Sequence, residues 1–259
     1  MAVTLVLDAG GSRLSWAPLV DGVPDAATAA PWEEARAALE AWWQDHRNPA
    51  DSAPPVIGML DRPATPAAVA SGFPDWIPAV LGADPIRLDP YRDCPFDIDY
   101  REGLPGHDRL AAALACHHRD PGGSWVIVDA GTCITVDLLS PGRWRGGAIL
   151  PGLALQANAM AGAGLPVLER TPGGWPCRTG PDGALGRTTA EALEAGIPWA
   201  SRESVTAVIR ALTDIDPCAQ VVLTGGDAAH FDGIGGWRTF ADPKLVLIGT
   251  AHLLNATTS

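Results

Sequence analysis

Val6-Leu7-Asp8-Ala9-Gly10-Gly11-Ser12 stands at the start of the chain, and Ile127-Val128-Asp129-Ala130-Gly131-Thr132 nearly repeats it far downstream. In both copies an apolar run ends on an aspartate followed by glycine and then a hydroxyl. Glycines let the backbone approach an anion and turn its N–H groups inward, and a carboxylate supplies oxygen to a hard cation. Either copy alone would read as an ordinary strand closed by an Asp-Gly turn. Their recurrence in matching context predicts two similar α/β halves facing one cleft, and it points to a nucleotide's phosphates and their cation.

The surrounding pattern supports that division. Residues 3–7 and 14–20 read as strands, with Asp21-Gly22 closing the second, and Pro31 opens a helix through about Trp43 whose Trp32, Ala35, Leu39 and Trp42–Trp43 recur at helical spacing. Short strands near 55–60 and 85–88 flank a helix started by Pro66, and residues 89–105 read as a long surface loop. A helix over 110–118 follows, with Asp108 and Arg109 in its first turn. Strand-like runs at 125–129, 133–139 and 145–150 carry the second Asp-x-Gly. Helices near 152–161, 188–196 and 202–212, a strand at 220–223, the turn Thr224-Gly225-Gly226-Asp227 and a last strand and helix from 244 complete the second half. The expected domains are residues 1–115 and 116–259, each with one phosphate corner.

Composition excludes several classes. Thirty acidic residues against eighteen Lys and Arg give a formal net charge of -12, and no basic cluster exists, so nucleic acid is not an expected partner. An anionic ligand must be held by local devices: backbone amides, a cation or single arginines. Lys244 is the only lysine, so there is no Gly-x-x-x-x-Gly-Lys phosphate loop, and Gly162-Ala163-Gly164 follows a helix rather than a strand, which removes a dinucleotide fingerprint. Cys94, Cys116, Cys133, Cys177 and Cys218 are odd in number and scattered, as in a reducing compartment. The N-terminus runs straight into a strand, and no apolar run approaches the ~20 residues of a membrane span. A cytoplasmic protein with no membrane partner is expected.

Two further stretches carry chemistry. Asp108 in a helix's first turn would by itself be a capping residue, favoured by free N–H groups and the macrodipole. Arg109 beside it changes the reading, because a guanidinium can grip a ligand carboxylate in two-pronged fashion while the aspartate accepts a proton. The macrodipole makes such an aspartate a weak base, which suffices for phosphoryl transfer, where alignment of the attacking hydroxyl matters most. Thr224-Gly225-Gly226, after the apolar Val221-Val222-Leu223, offers bare backbone against which a ribose or base can lie.

Taken together, these pieces resemble type III pantothenate kinase, of the acetate kinase, sugar kinase, heat-shock 70 and actin superfamily. The resemblance rests on Asp8-Ala9-Gly10-Gly11-Ser12-Arg13 with Trp16, Gly106-His107-Asp108-Arg109-Leu110, Val128-Asp129-Ala130-Gly131-Thr132 with Thr135 and Asp137, Gly146-Gly147-Ala148-Ile149-Leu150-Pro151-Gly152, Gly186-Arg187-Thr188-Thr189 with Glu191 and Gly196, and Thr224-Gly225-Gly226. It implies two ribonuclease H-like (actin-like ATPase) domains with a cleft between them, and ATP-dependent phosphorylation of pantothenate by a cytoplasmic homodimer using magnesium and a monovalent cation, potassium or ammonium. By the same resemblance Asp8, Ala9, Gly10, Gly11, Ser12, Arg13, Leu14 and Ser15 would form the first phosphate corner, with Asp8 near magnesium. Asp129 would ligate the monovalent cation, Thr132 would touch ATP, and Gly225 and Gly226 would meet the adenosine. Asp108 would be the proton acceptor. Gly106, His107, Asp108, Arg109 and Thr189 would hold pantothenate, with Arg109 on its carboxylate, and Tyr100 would be a further substrate residue.

The chain departs from the family pattern in places. Gly11 and Ser12 replace the usual Asn-Thr, keeping a hydroxyl and backbone donors but losing a side-chain amide. Tyr100 lies six residues before Gly106 without the Asn-Pro that commonly follows such a tyrosine seven residues before, and Thr188 stands where Asn is typical. These departures leave two alternatives: a kinase-like binding or regulatory protein with little turnover, and a kinase of another small hydroxy acid.

Overall fold

A computed structural model describes residues 3–47, 53–176, 178 and 181–258. The chain forms two compact units. One contains Met1–Pro95, Glu102–Asp120 and Lys244–Ser259, and the other Phe96–Arg101 and Pro121–Pro243.

In the first unit, β1 (Thr4–Ala9) pairs antiparallel with β2 (Arg13–Val20), whose far edge carries β3 (Val23–Pro24) and β4 (Thr28–Pro31). Asp21 and Gly22, both at positive φ, make the tight turn between β2 and β3. Helix α1 (Trp32–His46) starts after Pro31 and buries Trp32, Ala35, Leu39 and Trp43 of the predicted stripe, with Trp42 only partly buried against the same core. On the other side of β1 lie β5 (Val56–Leu60) and then β6 (Ile86–Leu88), both parallel to their neighbours. Two short helices, α2 (Pro66–Ala70) and α3 (Ile77–Leu81), sit between them. The apolar face of α1 joins Phe73, Trp76, Ile77 and Leu81 over this sheet in a single core.

The segment read as a long surface loop contains α4 (Pro90–Asp93) and β7 (Asp97–Ile98). Asp89 caps α4 by accepting from the Tyr91 backbone N–H, and Pro90 occupies the first helical position. These elements are too short to show a period. Helix α5 (His107–Arg119) follows, buried along Leu110, Ala111, Ala113 and Leu114.

The second unit is a meander of β8 (Trp125–Ala130), β9 (Cys133–Ser140) and β10 (Arg143–Pro151), with β7 added parallel to β10. Helix α6 (Leu153–Gly162) leads on to α7 (Thr189–Glu194) and α8 (Ala200–Ile215), the last two joined through a π-helical turn, Ala195–Trp199, rather than separated. Pro198 has no N–H to give, and the wider turn accommodates it. Strand β11 (Gln220–Thr224) pairs parallel with β8 and β12 (Thr239–Ala241) parallel with β11, so the last strand precedes residue 244 instead of beginning there. Val126, Val128, Val136, Val205, Ile209 and Leu223 form its core with Phe231.

The final helix, α9 (Leu245–Thr258), packs on β1, β5 and α5, in the first unit and not with the residues expected as a second domain of 116–259. It is apolar nearly all round and buries Leu245, Val246, Leu247, Leu253 and Leu254, so its sequence carries no stripe that would assign it to a sheet. Gly249 lets α9 touch α5, because a Cβ there would collide with the Ala111 carbonyl.

The anticipated repeat is real at the level of topology. In each sheet an antiparallel hairpin opens the unit, and its first strand then takes a parallel neighbour and a second one beyond it. Asp8 and Asp129 are each the penultimate residue of that first strand, opposite a hydroxyl residue of the hairpin, Ser15 and Thr135.

Candidate active site

In the first unit three sequence-distant residues meet at the carboxyl ends of β1 and β5. Arg62, two residues beyond β5, donates from Nη2 to Asp8 Oδ1 at 2.8 Å and from Nη1 to Asp108 Oδ2 at 2.7 Å. It also donates to the Ala9 carbonyl. Burial pushes the Asp8 carboxyl above the usual carboxylate range; Arg62 opposes that shift and Asp108 adds to it. The side chains of Arg62 and Asp8 are 13% and 17% exposed, whereas Asp108 is 39% exposed and can meet a substrate.

Asp108 lies where the sequence places it, in the first turn of α5. Its Oδ1 accepts from the Arg109 N–H at 2.9 Å, and a Cβ on Gly106 would stand 2.5 Å from that oxygen. A side chain at position 106 would thus push the Asp108 carboxylate from this position. A pocket of about 410 Å³ opens beside these groups, lined among others by Arg62, Thr65, Tyr91, Leu104, His107 and Asp108. Tyr91 donates to the Pro105 carbonyl and sets its ring edge-on to His107, 4.9 Å between centroids. His107 stands 3.9 Å from Asp89, and burial lowers its pKa below the ordinary imidazole value against the pull of that carboxylate. Arg109 is buried, 7% exposed, within α5.

The backbone of the expected phosphate corner after β1 is braced from outside. Trp32 donates its indole N–H to the Gly10 carbonyl at 3.2 Å, and the Thr65 hydroxyl donates to Gly11 O at 3.4 Å. Gly11, Ser12 and Arg13 are exposed, Ser15 is partly so, and the Leu14 side chain lies wholly in the core. Only the backbone of Leu14 is therefore left for a ligand.

In the second unit Asp129, the penultimate residue of β8, is in register with Thr224 of the parallel strand β11, and Gly225 and Gly226 lie just beyond that strand. Gly225 has φ of +91°, and a Cβ there would be 2.5 Å from both Asp129 Oδ1 and the Ala130 carbonyl oxygen. The Asp227 N–H donates to that same carbonyl at 2.9 Å, and the Gly152 N–H donates to Thr132 O at 3.0 Å. Asp129, Thr132, Gly225 and Gly226 are thus brought to one end of one sheet, where ligands of parallel sheets bind. Thr189 begins α7 on an exposed face, with Thr188 capping the helix by accepting from the Glu191 N–H. Tyr100 lies in this unit, 44% exposed, its ring 5.7 Å from that of Trp144.

The donor chemistry fits the implied cations. A magnesium ion carried by nucleotide phosphates asks for one or two carboxylates, and Asp8 at the first corner offers one. Asp129 with neighbouring carbonyl oxygens makes an all-oxygen corner suited to a hard monovalent cation. Among the described residues no group of three His, Cys, Asp or Glu side chains gathers as a self-contained metal cage, and no helix is long and apolar enough to cross a membrane.

Sequence reading missed Arg62 and Tyr91. A charged Asp61-Arg62 pair directly after the apolar run of β5 was the available signal, since residues just past parallel strands face the ligand side.

The family model for type III pantothenate kinase matches residues 4–211. The type III pantothenate kinase of Alkalilimnicola ehrlichii is 34% identical over 264 residues, covering 96% of each chain. That of Bacteroides fragilis is 36% identical over 152 residues, an alignment spanning 58% of this chain and 60% of the relative. Among solved structures, the ethanolamine utilization protein EutJ from Carboxydothermus hydrogenoformans aligns over 98% of this chain and 89% of its own, with a TM-score of 0.54 at 14% identity, a likeness of fold alone. With its two-sheet α/β architecture, the chain belongs to the type III pantothenate kinase family.

Proposed function

We propose that this chain transfers the γ-phosphoryl group of ATP to the terminal hydroxyl of pantothenate, making 4'-phosphopantothenate and ADP, the first step toward coenzyme A. Asp108 carries the reading: an accessible carboxylate at a helix start, on the rim of a pocket of about 410 Å³ and tied through Arg62 to the first phosphate corner. Asp108 accepts the hydrogen bond of the attacking hydroxyl and aligns it for in-line transfer. Because such transition states are loose, alignment and electrostatic stabilisation do most of the work and a weak base suffices. Gly106, His107 and Arg109 belong to the pantothenate side, with Thr189 and Tyr100 as further candidate contacts. The Asp8 to Ser15 corner serves the phosphates and their magnesium, which supplies charge neutralisation. Thr132, Gly225 and Gly226 serve the nucleotide, and Asp129 holds potassium or ammonium. A cytoplasmic homodimer completes the reading.

The test is ADP release from ATP with magnesium and potassium, with and without pantothenate, for the wild type and Asp108→Asn. Pantothenate-dependent turnover that falls about 10²- to 10⁴-fold in the variant, with ATP binding retained, is expected. Turnover only with another hydroxy acid would make it a kinase of that acid, and nucleotide binding without turnover would make it a binding or regulatory protein. Exchange of potassium for sodium should slow the reaction, and indifference to the cation would refute the role of Asp129.

A further inference from the structure

We propose that Arg62 is a positioning residue of the reaction: its forked guanidinium locks the acceptor-side carboxylate of Asp108 to the phosphate-side carboxylate of Asp8, holding the two reactant sites in register. The inference rests on the functional reading above, which uses the Arg62 contacts but gives residue 62 no part in the reaction.

Three observations carry it. Arg62 reaches both carboxylates from separate nitrogens, at 2.7 and 2.8 Å, and also donates to the Ala9 carbonyl at the turn itself. It is the most buried of the three side chains, so its donors are fixed by packing and not left to solvent. It also comes from β5, which pairs in parallel with β1, so the strand bearing Asp8 and the root of Arg62 move as one body. Asp108 by contrast sits on a separate helix, 46 residues away in sequence. Without a cation between them, Asp8 and Asp108 would be two like charges in a partly buried site, which repel and swing apart. Lysine could not replace Arg62, since a single ammonium lacks the planar fork that serves two carboxylates at once.

A small misplacement of a reacting group costs about 100-fold in rate, and that is the loss expected in kcat for Arg62→Gln. Arg62→Lys should keep the net charge and the fold yet stay at least about tenfold below the wild type. A second readout needs no turnover. Asp108→Asn removes an ion pair when Arg62 is present and should lower the unfolding temperature, whereas in an Arg62→Gln background it relieves repulsion on Asp8 and should raise it. A kcat of Arg62→Lys or Arg62→Gln within about threefold of the wild type, or an Asp108→Asn shift of the same sign in both backgrounds, overturns the proposal. If the wild type itself releases no ADP with pantothenate, the functional reading falls, and the unfolding comparison still decides whether Arg62 ties the two carboxylates.

Discussion

Replacing Gly225 by alanine separates two physical demands that a glycine can meet. The residue has φ of +91°, where a side chain is strained, and its Cβ would stand 2.5 Å from Asp129 Oδ1 and from the Ala130 carbonyl oxygen. The conformational part costs about 1–3 kcal/mol, and forcing a methyl into packed backbone costs about another 1–3 kcal/mol. For units of this size about 2–4 °C is lost per kcal/mol, so Gly225→Ala should melt about 10 °C below the wild type. Gly146, in the same unit, provides the control, since it shares φ of +91° with no atom within 4 Å of its Cβ. Gly146→Ala should therefore lose only the conformational part, about half the shift. Calorimetry on the three proteins measures the difference, and isothermal titration with ATP measures whether pushing Asp129 aside weakens nucleotide binding in Gly225→Ala alone. Equal melting losses in the two variants would refute the steric argument. No loss in either would refute the strain argument as well.

Gly249→Ala should destabilise by at least about 3 kcal/mol, because the obstructing atom is the Ala111 carbonyl and the backbones of α5 and α9 must part; a urea midpoint close to that of the wild type would show that this helix crossing is not tight. His118 and His252 stack at 3.8 Å between α5 and α9; burial first lowers the pKa of each, followed by the His117 imidazole for His118 and the His118 imidazole for His252. A lowered folded pKa means that the unfolded chain binds protons more readily, so stability is full above the ordinary histidine pKa of about 6.5 and is lost as pH falls below it. Denaturant midpoints between pH 7.5 and 5 should fall, and His118→Phe, which keeps a ring on His252, should flatten that fall. Burial pushes the Cys94 thiol up to about 12, so a thiol reagent at pH 8 should label the exposed Cys133 and Cys218 well before Cys94, as peptide mapping would show.

Local grammar made much of this protein legible in its amino-acid order. An apolar run ended by Asp-x-Gly is a strand and a turn wherever it falls, so both Asp-x-Gly turns and the hairpins that carry them followed from neighbours in sequence. Asp108 in the first turn of α5 and the spaced tryptophans of α1 were readable for the same reason, since capping and helical period act over a few residues. Convergence is different in kind. Arg62 lies 54 residues from Asp8 and 46 from Asp108, and only the parallel pairing of β5 with β1 brings its guanidinium between them. Tyr91 lines the pocket because Asp89 and Pro90 start a single helical turn too short to leave a period. Helix α9 is apolar on every side, so its composition said that it is buried but not where. Its place beside α5 depends on the close approach of Gly249 to Ala111, a contact that exists only once the chain has closed on itself.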